Sequence, residues 1–200
     1  MAFAVWKVGG SLFDLPDLAD RLFRLHANYE PRLPTVIIPG GGLFADAVRQ
    51  IDQVHRLDPR HSHHLALDAM RLSASLVAGM FQLQPVKDVS QQLADIEAFQ
   101  RGSEPPSIQV WDVIDSWNTL LPQVETICGS IPSDWRLTSD AIAGGLAALW
   151  GAERFVLVKS IDRPALRDWQ ACAEEGAVDE VFPDIAPHLP NIKWVNLRAQ

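Results

Sequence analysis

With 200 residues and 22.2 kDa, the chain has the size of one domain and no room for two large independent ones. Hydrophobic residues make up 48% and charged residues 21%, which supplies a buried core and excludes intrinsic disorder. Lys plus Arg number 17 against 25 Asp plus Glu, and the net charge of −8 argues against sequence-independent binding to nucleic acid or an anionic membrane.

Cys128 and Cys172 stand alone, with no C-x-x-C pair, so neither a disulfide framework nor a zinc knuckle is expected and a reduced cytoplasm fits. The opening MAFAVWKVGG turns to Lys and Gly too early for a signal segment or a membrane span. The expectation is a soluble cytoplasmic protein with no membrane partner.

Residues 3–8 form a short β-prone run ending at Gly9-Gly10, and residues 35–38 form another ending at Pro39 and three glycines. Each feeds a helix. Residues 14–28 place Leu15, Leu18, Leu22 and Leu25 at helical spacing, and residues 43–54 do so with Leu43, Ala47, Val48 and Ile51. Such a βαβα opening implies parallel strands with a right-handed crossover, which puts both glycine loops on one sheet edge, where open α/β sheets bind ligands. Further helices are expected over 62–81, 89–99 and 139–150, a loop over 102–106, and strands over 108–113, 126–128, 155–159 and 193–196.

Lys7, Gly9, Gly10 and Ser11 make a K-x-G-G-S turn. Glycine lets backbone N–H groups approach an anion, the next helix N-terminus adds partial positive charge, and the lysine adds a full one. A tight turn with a snorkelling lysine explains the same residues. Gly40, Gly41 and Gly42 repeat the strand–glycine–helix pattern, and two such units on one edge fit neighbouring phosphate sites for a donor and an acceptor. Gly40, Gly42 and Ala45 also match a dinucleotide fingerprint, but Asp58, the acid that should end the next strand, falls in a loop before a helix.

Asp140 stands in the first turn of a helix, where it either compensates the helix dipole or anchors lysines at a phosphate site. His61, His64 and Asp68 share a helix face as a conceivable metal set, with solvated or phosphate-contacting histidines the simpler reading, and no metal site is assigned. Trp135, just before the Asp140 helix, stands apart from the other tryptophans, which read as core.

The segments VWKVGGS, VIIPGGG and LTSDAIAGGLAALWGAERFVLV resemble, in order and separation, the amino acid kinase superfamily of acetylglutamate, aspartate and uridylate kinases. VIIPGGGLFADAVRQID, SHHLALDAM, DWRLTSDA and VDEVFP are most similar to its small-molecule phosphate kinases of methanofuran biosynthesis. The resemblance implies a three-layer αβα sandwich with a mostly parallel sheet. It also implies a single domain whose residues 1–130 hold the acceptor and whose residues 131–200 form a shortened nucleotide half. Activity would be ATP-dependent transfer to a phosphorylated or carboxylated small molecule, with Mg2+ carried by the nucleotide; a homo-oligomer is compatible with it. Lys7 would stabilise the moving phosphoryl group, Gly9, Gly10 and Ser11 line the donor phosphates, and Gly40, Gly41 and Gly42 the acceptor. Asp140 would organise the lysines, Lys159 would replace a missing lysine unless it is a solvent lysine at a strand end, and His63 and Asp179 would lie near the acceptor. The alternative is a noncatalytic member that binds a nucleotide or metabolite as a regulatory subunit.

Overall fold

The computed structural model describes residues 2–102, 107–164 and 168–200. Five strands, β1 (Ala4–Val8), β2 (Thr35–Pro39), β3 (Ile108–Val110), β4 (Arg154–Lys159) and β5 (Ile192–Asn196), form one sheet in the order β3-β2-β1-β4-β5. Every pairing is parallel. β1 lies at the centre, buried along its whole length, so both of its faces must be apolar; Lys7 is the one exception in AVWKV.

Alternation along the strands sends side chains to two cores. Phe3, Val5, Val36, Ile38, Phe155 and Leu157 face one core, and Ala4, Trp6, Val8, Ile37, Val156 and Val158 face the other. The second core is covered by α1 (Leu18–Tyr29) through Leu18, Leu22 and Leu25, and by Val77 and Ala78 near the end of α3 (Pro59–Met80). The first is covered by α4 (Val89–Arg101), α5 (Ile114–Cys128), α6 (Ser139–Leu149), α7 (Trp169–Glu174) and α8 (Phe182–Ile185), together with Leu67 and Met70 of α3. The result is the expected three-layer α/β sandwich. α2 (Gly42–His55) lies outside both cores and packs on α3.

The αβα order follows from the sequence, but several bounds do not. α3 begins at Pro59, since Asp58 accepts hydrogen bonds from the Arg60 and His61 N–H groups and proline suits the first helical position. Asp58 is thus a helix cap, with no ribose-binding place at a strand end. The strand expected over 108–113 stops at Val110, and the one expected over 126–128 is the last turn of α5. Thr126 and Ile127 are β-branched and Pro122 breaks the helical pattern, yet Ile114, Trp117, Leu120 and Val124 bury one continuous face, each large side chain contributing about 1.5–3 kcal/mol. Tertiary burial outweighs local preference there. Of the loop expected over 102–106, only Gly102 is among the described residues. No helix among the described residues is long and apolar enough to cross a membrane.

Candidate functional site

Lys7 shares the strand parity of Phe3 and Val5, and Lys159 that of Phe155 and Leu157, so both project from adjacent strands toward α6. Asp140, in the first turn of α6, lies between them. Lys159 Nζ donates a hydrogen bond to Asp140 Oδ2 at 2.7 Å, and Lys7 Nζ sits 2.8 Å from Oδ1. That second approach is an ion contact without hydrogen-bond alignment, and it leaves Oδ1 buried with no aligned donor. Lys7 is 5% exposed and Asp140 3%.

Two cations around one anion leave a formal excess of one positive charge where solvent screens little. Burial alone would raise the Asp140 carboxyl; Lys159 and then Lys7 overcome it and hold the group at about 2. Burial is also the largest influence on Lys159, taking its ammonium down to about 8 although Asp140 pulls the other way.

The glycine loops meet beside Lys7: a Cβ on Gly40 would lie 3.5 Å from both the Lys7 Cε and the Gly10 nitrogen. A Cβ on Gly10 would fall 2.2 Å from the Gly42 Cα, so neither loop tolerates a side chain at their crossing. Gly42 also has φ of +52°, the left-handed region that glycine adopts without strain. Its position opens α2, whose first N–H groups have no partner within the helix. Gly9 has a separate job: its N–H donates to the Val158 carbonyl at 2.8 Å and extends the sheet edge.

A cavity of about 280 Å³ opens beside the loops, lined by Gly10, Ser11, Gly40, Gly41 and Gly42 on one side. His63, Leu67 and Met70 of α3 form its floor, with Arg49 of α2 and Trp135, Leu137 and Ile142 closing the rest. Both glycine loops therefore border one continuous space. His63 is held below the usual imidazole range by burial and then by the neighbouring His64, which favours the neutral ring at pH 7.

Asp179, which the resemblance puts near an acceptor, does not line this cavity. Its carboxylate accepts hydrogen bonds from Thr138 N–H and Oγ1, Ala141 N–H, Val181 N–H and Phe182 N–H. It caps α6 and thereby sets where Asp140 lies. Burial, and then the charge of Asp140, push the Asp179 carboxyl up to about 7. Among the described residues, no group of three His, Cys, Asp or Glu stands ready to hold a metal ion.

Arg49 carried no signal in the sequence, being one of several charges on a helix. In the structure its guanidinium carbon lies 4.8 Å above the Trp135 ring, and the Trp135 Nε1–H donates to Asp52 Oδ2 at 2.7 Å. This contact joins α2 to the loop before α6 across 83 residues of sequence, which no local pattern could reveal.

The amino acid kinase family model matches residues 2–163, and the chain belongs to the amino acid kinase family. Within the curated proteins it is similar to the (aminomethyl)furanmethyl phosphate kinase of Methanocaldococcus jannaschii, 29% identical over 160 residues. That match covers 78% of this chain and 65% of the relative, so the chain spans just under two thirds of the relative's length. Among solved structures it resembles a UMP kinase from Bacillus anthracis (TM-score 0.63, 10% identity, 98% of this chain and 87% of that chain). It also resembles the uridylate kinase from Archaeoglobus fulgidus (TM-score 0.56, 16% identity, 92% and 85%). At these identities the structural likenesses show the fold.

Proposed function

We propose that the chain is a small-molecule kinase that moves the γ-phosphoryl group of ATP to a phosphorylated acceptor. The observation that carries this reading is the Lys7–Asp140–Lys159 cluster, which holds two ammonium groups on one buried carboxylate beside the two glycine loops. Transfer between phosphates forms one P–O bond as the bond to the bridging β–γ oxygen breaks, and ADP leaves with the electron pair. Such chemistry needs positioning and charge stabilisation more than a strong base.

In this reading Gly9, Gly10 and Ser11 face the donor phosphates. A Cβ on Gly9 would come within 3.3 Å of the Val158 carbonyl and 3.9 Å of the Lys159 Cα, so glycine there lets the loop close onto the end of β4 and brings Gly10 and Ser11 to the cavity. Gly40, Gly41 and Gly42 and the start of α2 face the acceptor phosphate. Lys7 and Lys159 stabilise the charge on the transferring oxygens, and Asp140 fixes the separation of the two ammonium groups. Asp179 acts behind them as the cap of α6, and His63 offers a neutral imidazole to the acceptor. Mg2+ would neutralise charge on the triphosphate, and since both oxygens of Asp140 face lysines, phosphate oxygens and water would hold it rather than Asp140.

The relative's name supports a finer reading, in which the acceptor is (aminomethyl)furanmethyl phosphate and the product its diphosphate. The cavity suits a small planar ring: Leu67, Met70, Leu137 and Ile142 offer apolar contact, and the Trp135 ring offers a stacking wall. ADP release from ATP, measured across phosphorylated and carboxylated acceptors with a furan phosphate among them, tests both levels. Turnover with the furan phosphate and little with UMP is the expected result. Absence of turnover with every acceptor, alongside measurable ATP binding, would support a noncatalytic role instead.

A further inference from the structure

Lys159 differs from Lys7 in its support. Lys7 comes from the central strand and its side chain is 6% exposed, whereas Lys159 ends β4, next to the segment that leaves the sheet. Its side chain is 12% exposed. The charged and titratable groups that face it are Asp140 from α6, Lys7 from β1 and Asp179 from the segment before α8. Of these, Lys7 repels it.

A neutral group faces it as well. Trp194 on β5 pairs in register with Leu157, two residues before Lys159 and on the same sheet face. Its ring centroid lies 5.6 Å from Lys159 Nζ, within reach of a cation–π attraction. Its Nε1–H donates to the Ile161 carbonyl at 2.9 Å, two residues after Lys159. One side chain thus touches the ammonium and ties down the chain that carries it.

We propose that Trp194 is a positioning residue for Lys159: its ring face keeps the ammonium charged and turned toward Asp140, and its N–H fixes the backbone leaving β4. The claim rests on the kinase reading for its catalytic consequence, but the placement of the ammonium is measurable without turnover. A π face favours the protonated lysine. An aliphatic side chain of similar bulk keeps the site dry without that attraction, so it lowers the lysine's proton affinity.

The chain has four lysines, Lys7, Lys87, Lys159 and Lys193, so a lysine-labelled sample gives few side-chain NMR signals, and Lys159→Arg identifies the relevant one. In Trp194→Leu the Lys159 titration should move down by about half a unit to one unit, whereas Trp194→Phe should move it far less. If the Leu variant does not fold, Trp194→Met serves the same purpose. In turnover, Trp194→Leu should lower kcat about tenfold with the acceptor KM unchanged, and Trp194→Phe should recover most of it. A Leu or Met variant that titrates like the native chain, or upward, overturns the proposal, as does a Phe variant as impaired as Leu. If the titration behaves as expected and no acceptor is phosphorylated by the native chain, the kinase reading fails while the role of Trp194 in placing Lys159 stands.

Discussion

Helices α2 and α6 both begin at the glycine edge, yet α6 buries nine of its 11 residues and α2 buries none of its 14. The sequence of α6, SDAIAGGLAAL, explains its side of the contrast. Small residues let it sink between the sheet and its neighbours: a Cβ on Gly144 would lie 2.9 Å from Ile185 Cγ2, and one on Gly145 2.8 Å from Val124 Cγ1. α2 instead exposes Leu43, Ile51 and Val54 and meets the body mainly through α3 and the short turn at Gly10–Leu12. Burial is what gives Asp140 its power, because a charge cluster acts strongly only where water does not screen it. In the proposed reading α2 shapes an acceptor space, which needs no such enclosure, so that the rigid, buried side of the site would hold charge and the lightly anchored side would recognise shape.

That division predicts the largest effects on the α6 side. Lys7→Met keeps a stem that fits the buried strand and removes the charge, so the protein should fold and phosphoryl transfer should fall about 100-fold to 1000-fold. Asp140→Asn should cost a similar factor and also destabilise the fold, by about 3 kcal/mol, because it removes the carboxylate that both buried ammonium groups contact and leaves only the more distant Asp179. The double variant should lose less than the product of the two factors, since both act through one cluster. A folded Lys7→Met protein with normal turnover would remove the cluster from the mechanism.

A second test uses pH to separate activity from stability within the same cluster. With the Lys159 ammonium lowered to about 8 by burial, kcat/KM for ATP should decline above that pH as the free enzyme loses this charge. The folded chain releases the proton before the unfolded chain does, whose value is near 10.5, so the contribution of this group to stability should rise between about pH 8 and 10.5. Activity and stability therefore move in opposite directions over that window. Lys159→Arg keeps the charge, and its alkaline decline should disappear. An unchanged decline in the Arg variant would assign it to another group.

How much of this was legible in the sequence follows the same contrast. Lys7, Gly10, Gly42 and Asp140 announce themselves because strand ends, paired glycines and helix starts are local patterns, and local patterns are what a sequence displays. The layered α/β order is legible for the same reason, since β1 and β2 are buried on both faces and read as apolar runs. Trp135 stands out by its place before the Asp140 helix, but its partners on α2 lie far along the chain, and nothing local distinguishes Arg49 from a surface charge or Trp194 from a core aromatic. Asp179 enters only through the family resemblance of its segment, and its five-donor cap role needs the α6 N-terminus to be folded against it. α5 was missed where local signals misled: Pro122 and two β-branched residues concealed a helix that burial enforces.

The smallest effect sharpens the contrast most cleanly, because one substitution is made in two helices. Gly→Ala within a helix interior gains about 0.5–1 kcal/mol from backbone entropy wherever the added methyl group has room. Gly79 is exposed in the last turn of α3, the helix that supports α2, where the gain lies at the low end of that range, and its Cβ would meet nothing within 4 Å. Gly79→Ala should therefore raise the midpoint of denaturant unfolding with no change in turnover. Gly144 in α6 would place the same methyl group 2.9 Å from Ile185 Cγ2 and 3.3 Å from both Leu189 Cδ1 and Phe182 Cε2. The same entropic gain is then opposed by overpacking of about 1–3 kcal/mol, so Gly144→Ala should be destabilising on balance. It should also lower kcat, because the shift of α6 needed to relieve the clash moves Asp140 relative to both lysines. If Gly144→Ala proves as stabilising and as silent in turnover as Gly79→Ala, then α6 has slack that its packing does not show, and the rigid side of the site is not rigid.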